Sequence, residues 1–318
     1  MNTAATAEAV EQMHDDHEVS SVAFQTLVLL LAAADASIGV AVWLGWMWLV
    51  VPLVLVTAHF MHGISIGFHE ASHGLLRKRR RLNEFDGVVI GMFSFLPFSL
   101  YRAAHQQHHI HLATERDIEL WPFVHPNVPR WARCCAAFLE LTLGLFYSPF
   151  LFLRTFIGRK PIVRSRKVRR RIWQELALTA AVWTLVFAAV AYFDLWKYFI
   201  WMYLVPGIVA ANLQNWRKYI EHVGLMGATV NSSTRTIVPR SWLGRFFAHT
   251  LLHEPYHGVH HEDASLPHRA LPSFTHVLTP REPDDLVPFM SYRQALPHLM
   301  RSLANPRVGA QWRDSARR

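Results

Sequence analysis

Histidine is the residue type in this chain that could do chemistry. The sequence holds 20 His in 318 residues, and they cluster. Four fall between His105 and His111, and five between His249 and His261. Three clusters have recognisable spacing: HEASH (His69, His73), HQQHH (His105, His108, His109) and HEPYHGVHH (His257, His260, His261, with His253 four residues earlier). Residues four apart share a helix face, about one turn along, so His69 and His73 can grip one metal. In HxxHH the first two His sit three apart on one face, and the adjacent third points about 100° away. Such a cluster can feed two metals. Eight imidazoles exceed the four ligands that one zinc takes and suit a pair of ions. Imidazole serves Zn, Cu, Fe or Ni, and an all-His redox-capable pair points to iron. HEASH alone also matches the HExxH pattern, with Glu70 as a protease base; that reading leaves the other clusters idle. Cys134 and Cys135 are adjacent and no CxxC occurs, which excludes a disulfide staple and a thiolate zinc site. Apolar packing is the expected role of both.

These clusters must be positioned by a framework short of charge. Only 17% of residues are charged and 52% are hydrophobic, against about 25% charged in an average chain. That argues against a soluble or disordered protein. The net charge of +9 would raise nucleic acid as a partner, but its location argues otherwise. Arg77–Arg81 holds five basic residues and Arg154–Arg171 nine; without those fourteen, +9 becomes −5. Two basic blocks beside apolar stretches mark cytoplasmic loops of a membrane protein. The spans expected are residues 22–42, 48–68, 172–193 and 195–213, each near the ~20 residues that cross a bilayer. They form two hairpins with both chain ends inside. Asp35, the one charged residue in 22–68, is expected to snorkel or pair near the interface. Residues 87–101 and 133–156 are apolar but flanked by basic residues on one side of the membrane, so they are expected as interfacial or re-entrant segments. Residues 1–21 form a cytoplasmic tail and 22–318 a single domain. Every His cluster then falls on the cytoplasmic side.

HEASH, then HQQHH about 30 residues on, then YHGVHH after a second hairpin, resembles the membrane-bound fatty acid desaturase and hydroxylase superfamily. The resemblance covers about His69 to Pro272. It implies an all-α integral membrane fold: four transmembrane helices in two hairpins, with a cytoplasmic helical cap over a di-iron site and a tunnel for an acyl chain. Carried onto this sequence, the iron ligands are His69, His73, His105, His108, His109, His257, His260 and His261. Related acyl-CoA desaturases use a ninth His near the cytoplasmic end of the last span, and His222 in WRKYIEHVGL fits. Those relatives carry an Asn four residues before it; Lys218 stands there instead, and Glu221 is the candidate replacement. The resemblance further implies two iron ions, O2 as co-substrate and an acyl lipid or other long hydrophobic substrate. It also implies a separate electron donor, a ferredoxin or cytochrome with its reductase, since no HPGG haem motif occurs.

Desaturation of an acyl chain is the first reading of the activity. A hydroxylase, ketolase or alkane monooxygenase of the same fold, or a fatty-acid decarboxylase forming a 1-alkene, needs the same ligands. A rival of another class is a non-catalytic metal transporter or haem protein. Transport sites sit near the midplane, and haem needs one or two axial His. Among the remaining histidines, His62 lies two turns before His69. His111 and His253 are candidates to steady a ligand, and His253 to be an extra one. His14, His17, His125, His249, His268, His276 and His298 read as surface or loop residues. Glu115, Asp117 and Glu119 could orient imidazoles through their free N–H. The RKRRR loop could dock an acidic electron donor, and as a topology signal it would touch anionic lipid.

Overall fold

The computed structural model describes residues 19–158 and 161–315. Most of the expected 1–21 tail, with His14 and His17, lies outside them, as do Arg159 and Lys160 of the second basic block. The described residues are helical; the nearest thing to sheet among them is one isolated bridge between Ile237 and Phe289.

The first hairpin is α1 (Val22–Trp43) and α2 (Met47–His73), joined at Gly45, whose φ of +73° suits glycine. Ile38, Ala41 and Val42 of α1 pack on Val50 and Val54 of α2 at the tight end. Phe24 and Leu27 meet Ile66 and Phe68 at the other. Leu29, Val51 and Trp48 face outward, 60–74% exposed, which suits lipid rather than water. α2 runs five residues beyond the expected span and stops at Gly74 in the left-handed region (φ +82°), directly after His73. The helix that crosses the membrane therefore also carries HEASH.

The expected interfacial segment 87–101 is a bend. α3 (Arg80–Phe93) and α4 (Phe98–Ile110) meet at 100°. Pro97 has no amide to continue the ladder. The Leu96 amide turns back to the Gly91 carbonyl (2.9 Å), and a Cβ on Gly91 would stand 2.4 Å from the Leu96 oxygen. Freed carbonyls at the end of α3 are taken by side chains, as an apolar setting demands: Trp183 Nε1 donates to Met92 O (3.1 Å) and the Tyr203 hydroxyl to Phe93 O (2.6 Å). Segment 133–156 is also two helices, α5 (Arg130–Thr142) and α6 (Gly144–Ile157). Asn212 bridges their break, accepting from Gly144 N (3.0 Å) and donating to Thr142 O (2.9 Å). Cys134 of α5 is half-buried, its Sγ facing Leu303 O (3.9 Å) and Ala304 O (3.6 Å), but Cys135 is exposed, so the packing role fails for it: its helix position faces outward.

The second hairpin is α7 (Arg166–Tyr192) and α8. The latter begins at Trp196–Tyr198, is π-wound over Phe199–Leu204 and α-helical over Val205–His222. α1, α2 and α7 are each long and apolar enough to cross a membrane, and the bent α3–α4 pair would make a fourth such unit. The expected span 195–213 lies on α8, whose winding changes inside it and which continues nine residues further, to His222. Beyond α8 come α9 (Trp242–Thr250), α10 (His257–Glu262) and α11 (Tyr292–Leu303). A close approach at Gly63, where a Cβ would lie 2.6 Å from Thr250 O, seats α9 on α2.

Asp35 is half-buried on α1, and its Oδ1 is buried without a hydrogen-bond partner. Glu175 of α7 is the buried acid with a structural task. It accepts from the Ser99 amide (2.9 Å) and hydroxyl (2.7 Å), capping α4, and from Arg171 Nε (3.0 Å). Replacing it with Leu leaves the Ser99 donors buried and unmet, worth about 1–3 kcal/mol. Glu175→Leu should therefore lower the thermal midpoint of the detergent-solubilised protein and loosen the helix that carries HQQHH. An unchanged midpoint would show that the cap is dispensable.

Candidate metal centre

Four elements end at one place. The last turn of α2 brings His69 and His73, and the last turns of α4 bring His105, His108 and His109. The end of α8 brings His222, and α10 brings His257, His260 and His261. All nine expected residues lie together, in two groups. One nitrogen from each of His69, His73, His105, His109 and His260 falls within 4.8 Å of the others, and the same holds for His108, His222 and His261. His257 joins the second group through His222, their Nε2 atoms 2.8 Å apart. His109 and His261 stack across the boundary, ring centroids 4.4 Å apart.

The partition of each HxxHH differs from the expectation. His105 pairs with His109, Nε2 atoms 3.1 Å apart, and His108 goes to the other group. Likewise His257 pairs with His261 (3.0 Å) and His260 crosses over. The reason is angular. Four residues advance a helix by about 400°, so i and i+4 are nearer in azimuth than i and i+3. The first and third His of each box therefore face one centre, and the middle one faces the other.

Proton positions follow from the outer partners. Nδ1 of His105 lies 3.0 Å from Glu119, Nδ1 of His108 2.8 Å from Asp117, and Nδ1 of His257 3.1 Å from Glu254. Nδ1 of His222 faces the Ser233 carbonyl at 3.2 Å. These oxygens accept only, so Nδ1 carries the proton and donates, and Nε2 turns inward with its lone pair free. Burial, then neighbouring imidazoles, push the pKa of His105, His109, His260 and His261 down, which keeps them neutral. Burial would lower His108 too, but the Asp117 carboxylate outweighs it and raises the pKa. Nε2 of His69 and Nε2 of His73 are buried without any hydrogen-bond partner. Two buried nitrogens left open inside a ring of mostly neutral imidazoles fit a metal ion: donor number, donor type and inward direction agree.

Sequence reasoning missed two residues. Glu254, 1% exposed, lies 3.3 Å from His69 Nδ1 and 3.1 Å from His257 Nδ1, touching both groups. Burial would raise its pKa, but His69 and Arg217 outweigh burial and hold it below the usual carboxylate range. Arg217 donates from Nη1 to Glu254 (2.7 Å) and to both oxygens of Glu221 (2.6 and 2.7 Å). The i,i+3 and i,i+4 rule applied to acids, Glu254–His257 and Arg217–Glu221, would have found them. Of the three acids after the second box, Asp117 and Glu119 reach the imidazoles, while Glu115 is exposed. Lys218 bonds to Glu140, while Glu221 lies with His222 and His257. His253 joins neither group: its Nδ1 faces His268 Nδ1 at 3.4 Å. His268, expected at the surface, is buried, and burial pushes its pKa down to about 3.

A cavity of about 590 Å³ reaches this centre, within the ~300–1,000 Å³ of ligand pockets. His69, His105, His108, His222 and His257 stand at one end. Its walls come from α1, α2, α3, α6 and α8 and are largely apolar, with Phe24, Leu31, Ile64, Val89 and Phe152 among them. Tyr203 and His222 both line it; at about 1.5 Å per residue their separation along α8 is roughly 28 Å.

The chain was compared with known proteins. The fatty acid desaturase family model matches residues 46–293. The sn-1 oleoyl-lipid 12-desaturase of Anabaena variabilis is 26% identical over 149 residues, 46% of this chain and 41% of that protein. The zeaxanthin 4-ketolase of Chlamydomonas reinhardtii is 30% identical over 87 residues, 26% of this chain and 20% of that protein. The similar stretches thus span less than half the length of either relative.

Glu254→Gln keeps the size of the side chain and removes the charge shared by the two groups. Outer partners of this kind are worth about 10- to 100-fold in metal affinity. The variant should bind metal correspondingly more weakly in titrations of chelator-treated protein. Wild-type affinity would show that Glu254 does not hold the imidazoles.

Proposed function

This chain belongs to the fatty acid desaturase family and is a membrane-bound enzyme, and from that premise we propose that it is an O2-dependent di-iron desaturase acting on the acyl chain of a lipid. The observation that carries this reading is the apolar cavity that ends on the histidines. A pocket of that shape holds a long chain and exposes one stretch of it at the centre. The similarity to an acyl-lipid desaturase supports the choice of substrate.

In this reading His69, His73, His105, His109 and His260 hold one iron, and His108, His222, His257 and His261 the other. A di-iron centre there supplies the removal of hydrogen from an unactivated C–H bond, using O2 and electrons from a separate ferredoxin or cytochrome and its reductase. The chain's own residues do the rest. Asp117, Glu119 and Glu254 keep the Nδ1 protons in place. Tyr101 stacks on His105 (5.4 Å, 10° between planes) and on Phe68, a flat wall where the cavity meets the centre. The buried boxes exclude bulk water. Residues 22–318 form one domain with four spans, α8 supplying the last. The basic blocks support a cytoplasmic side for both chain ends and the histidine cap.

The ketolase similarity favours a second reading, oxygen insertion into a carotenoid-like chain, with the same ligands. Expression in a host of defined lipid composition, beside a His108→Ala control, separates the two. Mass spectrometry of fatty acids, hydrocarbons and pigments should show a new double bond that the control lacks. An alcohol, a ketone or a terminal alkene in its place would overturn desaturation. The purified protein should carry about two irons per chain and no Soret band. Zinc at one per chain, or a haem spectrum, would sink the di-iron reading itself.

A further inference from the structure

A second cavity, of about 460 Å³, lies on the other side of α8. Leu213, Trp216 and Ile220 line it, whereas Gly207, Ala211 and Gln214 line the first cavity from the opposite helix face. The two share one side chain, Arg217. The second cavity has an apolar rim: Leu213, Leu243, Phe247 and Met290 are each 40–45% exposed. Two of these belong to α9, whose Trp242 and Phe246 are also exposed, 73% and 52%. A short helix with an apolar outer side lies in a membrane interface. The mouth of the cavity thus opens where lipids are.

Its inner end is polar and unfinished. Arg217 is 6% exposed, and its Nε has no hydrogen-bond partner. The Tyr292 hydroxyl and His62 Nε2 are buried and also have none. His59, by contrast, is paired with Thr250 (2.8 Å), and the Ser241 hydroxyl accepts from Gly244 N. Guanidinium Nε donates only, and a phenol donates readily. Two buried donors left open cost about 1–3 kcal/mol each unless an acceptor arrives. Charge narrows the choice. Arg217 already faces Glu221 and Glu254, so an anionic head against its Nε would meet two carboxylates behind that guanidinium; the other cation on the lining, Arg293, is an exposed side chain. An uncharged oxygen meets no such opposition.

We infer that this cavity is a second ligand site, which takes an uncharged amphipath from the membrane interface: an apolar chain along α8 and α9, and an alcohol or ester oxygen against Arg217 Nε and the Tyr292 hydroxyl. The site is separate from the acyl cavity and independent of the reaction at the histidines. Arg217 makes it a neighbour of the Glu254–Glu221 pair that steadies them.

The test is photo-crosslinking of the full-length protein in detergent with a decanol that carries a diazirine in its chain. The Leu243–Leu251 stretch, which touches the second cavity and not the first, should be labelled. Excess 1-decanol and monodecanoin should compete, and decanoate at pH 8 should need at least tenfold more. Leu213→Trp, which fills the cavity from its rim, should cut that label at least fivefold while the protein elutes monodisperse. Tyr292→Phe should cut it several-fold, and decides the matter if Leu213→Trp does not fold. No label on this stretch, equal competition by decanoate, or label indifferent to both substitutions would overturn the site. Competition by decanol but not monodecanoin supports a single-chain alcohol; competition by both supports a membrane ester lipid.

Discussion

Nine imidazoles brought into one buried volume repel whenever they are charged and are costly when their nitrogens go unmet. Much of the architecture answers that problem. Burial keeps most of them neutral. Acceptors on the outside hold Nδ1 of His105, His108, His257 and His222, so the free lone pairs of those four turn inward. The acceptors must then be held in turn. Asp117, 0% exposed, takes backbone N–H groups from Ala113 (3.0 Å), Glu119 (3.2 Å) and Leu120 (3.3 Å). Glu254 and Glu221 are held by Arg217. Five acids, Glu70, Asp117, Glu119, Glu221 and Glu254, stand against the imidazoles, with one guanidinium among them. Burial raises the pKa of Glu119 and Glu221, whereas His69 and Arg217 hold Glu254 low, so Glu254 is the acid that stays charged beside the centre.

The same problem dictates which helices carry ligands. A metal pair needs imidazoles within a few tenths of an ångström, and loops hold positions less well than rods. Here the rods are the long helices of the two hairpins. α2 and α8 each continue past their apolar length, ending in His73 and His222. Gly74 then stops α2 at once, and the Val223 amide closes α8 on Tyr219 O. α4 reaches the centre only because the α3–α4 bend re-aims it by 100°, and Glu175 pins its first turn from α7. The cavity is a consequence. It is the space left between rods that converge on the centre at one end and are spread by the bend, Tyr203 and α6 along the rest.

How much of this was legible in the sequence follows from the range of each interaction. His69, His73, His105, His108, His109, His222, His257, His260 and His261 were read from spacing and resemblance, and the chain folds them into one place. Spacing is a local property that a helix translates directly into direction. The apolar stretches of α1, α2 and α7 were legible for the same reason, to within a few residues at each end. The division of each HxxHH was not. It turns on the difference between 300° and 400° of helix rotation seen from a centre that other elements define. The roles of Glu254 and Arg217 were hidden because neither is an imidazole; their meaning arises where α8 and the start of α10 meet. His253 and His268 show the converse: a cluster neighbour can find another partner when two successive left-handed residues, Leu252 at φ +47° and His253 at φ +56°, turn the chain away from the centre.

α8 is where these levels meet. Its exposed and buried positions cannot be sorted into one apolar face and one polar face, because it has a cavity on each side and ligand duty at its end. Small residues, Gly207, Ala210 and Ala211, thin one face where the first cavity runs. Bulky Leu213, Trp216 and Ile220 wall the other. Arg217 sits between them at the level of the centre, buried, with Nη1 committed to the acids behind the histidines and Nε turned elsewhere. A lysine could not divide itself so, since a single ammonium is one point charge, while the guanidinium fork offers separate donors in fixed directions. One side chain thus sets the charge behind the histidines and finishes the wall of both cavities, and the helix that carries it has to be rigid through the whole distance.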